Sequence, residues 1–307
     1  MTTHLILGTG AVGSALARDL HENGHDVRVV NRSGSAPALP KAIAVTAADL
    51  NDPEVAKRTI AGADVTYQVT APAYTRWPEE FPALQESILD AAEAAGSRLV
   101  LADNLYAYGD PDGAAITEQT PERPHTRKGK VRKVMADAAL QAHRDGRVEI
   151  AISRPSNYVG GGYALFDNLV VNKLRDGKAA MFLGDADQPH SFSYVPDVAR
   201  AMAAIGTSDE SWGRVWIAPV LETMTSRELA QRLWNEFGHD GDANVSAIKG
   251  LGARLIGLFN PMMRESIEMM YEFDRPFIAD ASAIAKTLGV AATPVAEAIS
   301  AMTAQPK

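Results

Sequence analysis

The chain has 307 residues, of which 46% are hydrophobic, and this is enough to bury the core of one two-lobed α/β domain or of two modest domains. Its formal net charge of −8 argues against nucleic acid as a partner, because proteins that wrap a polyanion depend on lysine and arginine. The sequence contains no cysteine, which excludes disulfides, thiolate nucleophiles, iron–sulfur clusters and cysteine-ligated zinc.

Short β-rich runs alternate with longer alanine-rich helical runs over roughly the first two hundred residues. The predicted strands span residues 5–7, 26–30, 43–45, 63–69, 98–101 and 148–152. The predicted helices between them span residues 11–22, 53–61, 79–95 and 128–144. This alternation is typical of βαβ units, so we predict an α/β fold with a Rossmann-type, doubly wound parallel sheet.

The pattern loosens beyond Arg154, where three successive glycines interrupt the chain. The elements predicted after them are a helix at 165–176, a strand at 180–183, a helix after Pro196-Asp197 and a strand at 214–218. From Thr225 onward the sequence is mostly helical. We therefore expect two parts: a Rossmann core of residues 1–158 with 190–220 returning to it, and a smaller, mostly helical lobe of residues 159–189 and 221–307.

A glycine-rich turn, Gly8-Thr9-Gly10-Ala11-Val12-Gly13, follows the first predicted strand and opens the first predicted helix. Gly8 permits a tight turn, Gly10 lets the backbone approach a pyrophosphate, and Gly13 allows close packing of helix on strand. The free amides of the helix N-terminus, at Ala11 and Val12, favour an anion. The turn therefore predicts a nicotinamide dinucleotide site, the alternative being a glycine-rich turn without a ligand.

The end of the second predicted strand reads Asn31-Arg32-Ser33. An Asp or Glu at this place would accept the ribose 2′-hydroxyl of NAD, whereas Asn31 carries no charge that repels a 2′-phosphate. Arg32 offers a planar fork that matches phosphate geometry. We predict NADP in preference to NAD, the alternative being that Arg32 is a solvated loop residue.

Residues after the third and fourth predicted strands complete the expected cofactor site. Asp49 is placed to meet the adenine edge, although it could instead cap the helix that begins near Pro53. Thr70 and Ala71 follow the next strand, at the edge of the sheet where ligands bind in open α/β folds.

The whole chain resembles the extended or atypical short-chain dehydrogenase/reductase superfamily, the group that includes the NAD-dependent epimerase/dehydratases. The segments that carry the resemblance are the glycine turn, Tyr108-Gly109, Arg154-Pro155-Ser156-Asn157-Tyr158-Val159-Gly160, Ser193-Tyr194-Val195-Pro196-Asp197-Val198-Ala199, and Asp280 with Leu288-Gly289. They are specific for the fold and much less specific for the reaction.

The resemblance implies a catalytic Ser or Thr and a Tyr-x-x-x-Lys dyad, and neither falls on matching residues. The hydroxyl position falls on Asn104, and the dyad falls on Lys128 and Arg132, so the tyrosine and lysine are replaced. A shift of the alignment would instead pair Thr126 with Lys130. The basic run could also be a solvated helix start or a small basic patch on the surface.

The resemblance also suggests roles around the reacting carbon. Arg132 would hold the nicotinamide ribose, Lys128 would supply the proton, and Asn104 would orient a substrate oxygen, with Tyr106 as the second choice of acid.

Pro155, Ser156 and Asn157 follow a predicted central strand. We expect them to lie against the nicotinamide end of the cofactor, because ligands bind outside the carboxyl ends of parallel strands. An ordinary turn without contact to a ligand is the alternative.

Three functions remain open. The first is an NADP-dependent oxidoreductase in which the smaller lobe binds a small organic carbonyl, alcohol or conjugated alkene. The second is a nucleotide-sugar epimerase or dehydratase, against which the loss of the tyrosine counts. The third is a cofactor-binding regulator, in the manner of NmrA-like proteins, that senses the NADP/NADPH ratio without chemistry.

The seven histidines show no His-Glu-x-x-His spacing, so we expect no metal. The N-terminus shows no basic stretch followed by a cleavable apolar run, and no later apolar run approaches the length of a membrane span. We expect a cytoplasmic protein that binds a small-molecule substrate and no membrane.

Overall fold

The computed structural model describes residues 2–304, and a seven-stranded parallel sheet lies at its centre. The strands are β1 (Thr3–Leu7), β2 (Asp26–Asn31), β3 (Ala44–Ala47), β4 (Val65–Gln68), β5 (Arg98–Ala102), β6 (Ile150–Arg154), β7 (Asn157–Val159), β8 (Ala180–Leu183), β9 (Pro189–His190), β10 (Phe192–Tyr194), β11 (Val215–Ile217), β12 (Met224–Thr225) and β13 (Val245–Ile248).

Helices cover both faces of this sheet and form much of the C-terminal part. They are α1 (Ala11–Glu22), α2 (Pro53–Ile60), α3 (Trp77–Ala95), α4 (Arg127–Arg144), α5 (Ala164–Phe166), α6 (Asn172–Arg175), α7 (Val195–Thr207), α8 (Ser226–Glu236), α9 (Gly250–Gly257), α10 (Pro261–Ser266), α11 (Tyr271–Asp274), α12 (Ser282–Leu288) and α13 (Val295–Ala304). No helix between residues 2 and 304 combines the length and the apolar character that crossing a membrane requires.

The order of strands in the central sheet is β3-β2-β1-β4-β5-β6-β11, and every neighbouring pair is parallel. The chain builds one half outward from β1 through β3 and then returns to build the other half outward from β4. The sheet is therefore doubly wound, as predicted, and the reversal between β1 and β4 opens a crevice at the carboxyl ends of the strands.

Strand β1 shows how the sheet is buried on both faces. Leu5 and Leu7 point into a core formed with α2, α3 and α4, whereas Ile6 points into a second core formed with α1 and α7. Successive side chains of a strand point to opposite faces, so an apolar run such as Leu5–Leu7 fits a strand covered on both sides.

The C-terminal lobe has a hydrophobic cluster of its own. Strands β8 and β13 pair in parallel, and their apolar side chains pack with those of α8 and α13. A smaller cluster connects this lobe to the sheet through Phe277, which packs with Leu105 and Ile217. The lobe is thus anchored beside the carboxyl end of the sheet.

The predicted and observed elements differ mainly after residue 160. The helix predicted at 165–176 is divided: a π-helical turn, Asp167–Val171, separates α5 from α6. The predicted strand 63–69 shortens to β4, while α1 spans the predicted residues 11–22. The fold class predicted from the sequence is confirmed.

Candidate functional site

The glycine turn after β1 leaves no room for side chains at two of its positions. Gly8 has φ of +122°, and a Cβ there would lie 3.1 Å from the backbone nitrogen of Thr70. A Cβ on Gly13 would lie 2.2 Å from the carbonyl oxygen of Gly8. These two glycines therefore let α1 pack directly against the turn that follows β1.

Gly10 differs from the other two, because a Cβ at this position would meet no atom of the described residues within 4 Å. No side chain in the described part of the chain caps α1, so its first amides keep their hydrogen-bonding capacity. An open space in front of uncapped helix amides fits the pyrophosphate of a dinucleotide.

A cavity of about 440 Å³, here called the edge cavity, lies at the carboxyl ends of β2, β3 and β4. Arg32, Asp49, Thr70 and Ala71 are among the residues that line it. Arg32 is exposed, and it makes none of the ion pairs found between residues 2 and 304. Arg76, in the same cavity, pairs with Glu80 at 2.8 Å.

Asn31 organises the loop that presents Arg32. Its Nδ2 donates to Thr9 Oγ1 and to the Ser35 carbonyl oxygen, each at 2.8 Å. Its Oδ1 accepts from the backbone N–H groups of Ser33, at 3.0 Å, and Gly34, at 2.7 Å. Asn31 therefore fixes the turn, and its side chain already binds the N–H groups of Ser33 and Gly34.

Asp49 accepts hydrogen bonds from the side chain of Asn51, at 2.8 Å, and from its backbone N–H, at 3.1 Å. These bonds lower the pKa of Asp49 below its ordinary value. The cap of α2 is Asp52, which accepts from the N–H groups of Glu54 and Val55. The capping role considered for Asp49 thus belongs to its neighbour.

A second cavity, of about 260 Å³, lies at the carboxyl ends of β4, β5 and β6 and is closed on one side by the C-terminal lobe. It is called the aromatic cavity here, because its walls include Tyr74, Trp77, Phe81, Tyr106, Tyr158, Tyr163 and Phe277. It shares Thr70 and Ala71 with the edge cavity. The two cavities are therefore adjacent at the end of β4.

The walls of the aromatic cavity contain most of the residues that the sequence predicts near the reacting carbon and the nicotinamide. They are Asn104, Tyr106, Arg132, Pro155, Ser156 and Asn157. The polar groups of Ser156 already have partners within the protein. Its N–H donates to Ser193 Oγ at 2.9 Å, and its hydroxyl donates to the Ser191 carbonyl oxygen at 2.7 Å.

A buried charge cluster supports the floor of this cavity. Arg132 donates through Nε to Asp103 Oδ1 at 2.5 Å and through Nη2 to the Ala102 carbonyl oxygen at 2.9 Å. Arg154 donates to Asp103 Oδ2 at 2.8 Å. Burial opposes ionisation of Asp103, but the Arg132 and Arg154 guanidinium groups outweigh it and hold the pKa of Asp103 below its ordinary value.

Lys128 is fully buried but does not line the aromatic cavity. Its Nζ pairs with the carboxylates of Glu265, from α10, and Glu268, from the turn that follows, and it lies 4.5 Å from the centre of the Tyr74 ring. Lys130 on the same helix is exposed. Lys128 and Arg132 therefore share a buried face, and the run is not a solvated helix start.

Asn104 and Tyr106 lie at the end of β5, in a short 3₁₀ turn. Asn104 Oδ1 accepts from the backbone N–H of Tyr106 at 3.1 Å, so this side chain caps the turn. The Tyr106 hydroxyl lies 3.5 Å from that of Tyr74. Burial raises the pKa of Tyr106 well above its ordinary value, which keeps the phenol protonated. Thr126, the partner in the shifted alignment, caps α4 through Gly129 N–H.

Glu272 in α11 is a cavity residue that no motif in the sequence indicates. Its side chain is buried, and Oε2 lies 3.4 Å from Asn157 Nδ2. Burial raises the pKa of Glu272 to about 8, against the opposing effects of the Asn157 amide and the Tyr271 hydroxyl. A separation of 115 residues divides Glu272 from Asn157, and no local pattern predicts such a contact.

No group of three or more His, Asp or Glu side chains in residues 2–304 is arranged to hold a metal ion.

The family model of the NAD dependent epimerase/dehydratase family matches residues 5–217 of this chain. Among curated proteins, UDP-glucuronic acid decarboxylase 1 of Xenopus tropicalis is 25% identical over 223 residues, which are 66% of this chain and 53% of that protein. The chain spans about half the length of the first curated relatives that it matches.

Solved structures match nearly the whole chain. UDP-glucose 4-epimerase of Thermotoga maritima, solved with UDP-glucose, aligns with a TM-score of 0.79 at 18% identity, over 98% of this chain and 97% of the other. A dTDP-glucose 4,6-dehydratase of Streptomyces venezuelae, solved with NAD, aligns with a TM-score of 0.79 at 20% identity, over 98% and 96%. At these identities the matches show the fold.

Proposed function

Because this chain belongs to the NAD dependent epimerase/dehydratase family, we propose that it is an NAD(P)-dependent enzyme that acts at an oxygen-bearing carbon of a nucleotide sugar. The observation that carries the proposal is the meeting of the edge cavity and the aromatic cavity at Thr70 and Ala71. Both cavities lie at the carboxyl ends of parallel strands, where ligands bind in doubly wound sheets.

The cofactor would lie along the groove formed by the two cavities. The open space at Gly10 and the uncapped amides of α1, including those of Ala11 and Val12, would hold the pyrophosphate. The nicotinamide, when bound, supplies or accepts a hydride. Arg32 has no ion-pair partner among residues 2–304, which supports NADP in preference to NAD.

Arg132 and Asn104 remain the proposed contacts to the nicotinamide ribose and to a substrate oxygen, because both line the aromatic cavity. We align Lys128 and Arg132 of α4 with the tyrosine and lysine of the family's dyad. Lys128 could reach a substrate only if α10 moved away, since Glu265 and Glu268 hold its ammonium group. Tyr106 and the segment Pro155-Ser156-Asn157 already line the aromatic cavity, so they could contact a substrate without any movement of α10.

Nucleotide sugars come first as substrates because the relatives and the structural neighbours are named for them. The small-carbonyl oxidoreductase that the sequence analysis placed first is the second candidate. Two observations favour it: the aromatic walls of a cavity of about 260 Å³, and the lysine that stands in place of a tyrosine at the start of α4.

The test is a substrate panel on the full chain with NAD⁺, NADP⁺ and their reduced forms. UDP- and dTDP-hexoses are followed by chromatography, and small carbonyls and quinones by the absorbance of the reduced nicotinamide. Conversion of a nucleotide sugar supports the proposal, and turnover of carbonyls alone favours the second candidate. Tight dinucleotide binding without turnover would make the chain a sensor, and failure to bind either dinucleotide would overturn the proposal.

A further inference from the structure

We propose that Glu272 is a catalytic acid of this site, which exchanges a proton with the substrate oxygen inside the aromatic cavity. This inference rests on the proposed function, since it requires a carbonyl or alcohol carbon to react there. It assigns the proton transfer to the C-terminal lobe and not to α4, where the family resemblance places it.

The position of the carboxyl group is the first support. Glu272 lines the aromatic cavity with only 1% of its surface exposed. Neither its Oε1 nor the neighbouring Tyr271 hydroxyl makes a hydrogen bond of normal distance and angle among residues 2–304, although the hydroxyl is near enough to the carboxyl group to oppose the rise of its pKa. A buried polar atom without a partner costs free energy, so such an atom beside a cavity indicates a ligand that completes its hydrogen bonding.

The hydrogen-bond network behind Glu272 is the second support. His190 Nδ1 lies 3.1 Å from the Glu272 carbonyl oxygen, so this nitrogen must be the donor. His190 Nε2 lies 2.8 Å from Asn157 Oδ1, and Asn157 Nδ2 faces Glu272 Oε2 at 3.4 Å. The protonation states of His190 and Glu272 are therefore linked through the Asn157 amide.

Two proton arrangements satisfy this network. A neutral His190 with its proton on Nδ1 accepts at Nε2 only from an NH₂ group, which requires the Asn157 amide to be turned over, with its nitrogen at His190 and its oxygen at Glu272. Oxygen can then meet oxygen only if the carboxyl group carries a proton. A cationic His190 would reverse the amide and leave Glu272 ionised. Burial lowers the pKa of His190 to about 4, so the first arrangement holds near neutral pH.

The surroundings of Glu272 agree with a protonated carboxyl group. Tyr74, Tyr106 and Tyr271 are the titratable groups that interact with it, in addition to His190, and burial raises the pKa of each tyrosine. Arg132 lines the same cavity, but its charge is matched by Asp103. The positive charge of Arg132, which would otherwise favour ionisation of Glu272, is therefore neutralised by the ion pair with Asp103.

The proton step can be written in full. In reduction, the O–H bond of the Glu272 carboxyl group breaks, its electron pair stays on the carboxylate, and the proton forms the new O–H bond of the substrate alcohol. A reduced nicotinamide, when bound, would supply the hydride to the carbon. In oxidation the Glu272 carboxylate takes the proton from the substrate hydroxyl, and an oxidised nicotinamide would accept the hydride from the carbon. Exchange with solvent restores the resting state.

Glu272→Gln keeps the shape and removes the exchangeable proton. We expect the rate of carbonyl reduction to fall on the order of 10²-fold or more, with dinucleotide affinity unchanged. The wild-type rate should decline as pH rises through about 8, and this decline should be absent from the variant. Asp167→Asn is the matched control, because burial also raises the pKa of Asp167 but this residue does not line the cavity.

A second readout does not depend on activity. The infrared carbonyl absorption of a protonated carboxyl group should be present in the dinucleotide-free wild type, disappear through about pH 8, and be missing from Glu272→Gln. An unchanged rate in that variant, or a Glu272 already ionised at neutral pH, would overturn the assignment while the proposed function stands. A wild type without turnover on the whole panel would overturn both.

Discussion

At the residue scale, the glycines of the first turn have different tasks. A Cβ on Gly13 would collide with the Gly8 carbonyl oxygen, whereas a Cβ on Gly10 would enter open space. Gly10 has φ of −66°, which any residue can adopt, so neither backbone conformation nor packing requires glycine here, and we propose that it lets a ligand approach the backbone.

We therefore expect Gly10→Ala to unfold at the wild-type temperature and to bind the dinucleotide on the order of tenfold more weakly or worse. Gly13→Ala should lose stability by itself, because the helix must move away from the turn. Thermal unfolding and calorimetric titration with NADPH measure the two effects. Full affinity in Gly10→Ala would show that the pyrophosphate lies elsewhere.

We expect Arg32 to decide cofactor choice in the proposed site. NADPH should bind more tightly than NADH by about 1.5–3 kcal/mol, the range for hydrogen bonds to a charged group, and Arg32→Ala should erase most of that difference. Lys41→Ala, which removes an exposed charge from the same connection between β2 and β3, is the control. Equal affinities for the two reduced cofactors in the wild type would contradict the preference.

At the scale of elements, Asp103 connects β5 to α4 and β6 through Arg132 and Arg154. Removing one partner of a buried ion pair leaves an uncompensated charge inside the protein, which costs about 3–5 kcal/mol. We expect Asp103→Asn to lower the free energy of unfolding by about this amount in urea.

The matched control is Asp137→Asn on the outer face of α4, where Asp137 pairs with Lys133 at 2.9 Å. Such an exposed pair contributes about 0.5 kcal/mol or less. If both variants unfolded alike, the Asp103 cluster would not hold these three elements together.

At the scale of the whole molecule, stability should depend on the protonation of Glu272. Its pKa rises from 4.5 to about 8 on folding, so between these values the unfolded chain has released a proton that the folded chain keeps. The contribution of Glu272 to the free energy of unfolding therefore falls as pH rises from 4.5 to about 8, and is constant above.

Glu272→Gln removes this contribution. The variant should match the wild type near pH 4.5 and become the more stable protein as pH approaches about 8. The difference between the two melting temperatures isolates this effect from His4, whose lowered pKa makes stability rise with pH between about 4 and 6.5 in both proteins. A difference independent of pH would contradict the assignment of a buried, protonated Glu272.

The sequence by itself determined the features that depend on neighbours along the chain. The period of apolar residues predicted α1 at its observed bounds, and the alternation of strands and helices predicted the doubly wound sheet. The glycine turn predicted a tight connection that leaves open space at Gly10. These features follow from backbone sterics and from burial of one face, which local residues decide.

Only the tertiary structure decided what meets at the end of the sheet. Glu272 approaches Asn157 across 115 residues, and Glu265 covers Lys128 across 137 residues. Helical periodicity predicts that Lys128 and Arg132 share a face of α4. It cannot predict that Lys128 pairs with a carboxylate of α10 while Arg132 lines the aromatic cavity. Such contacts depend on how the C-terminal lobe packs on the sheet, because burial and pairing of charges are settled between distant elements.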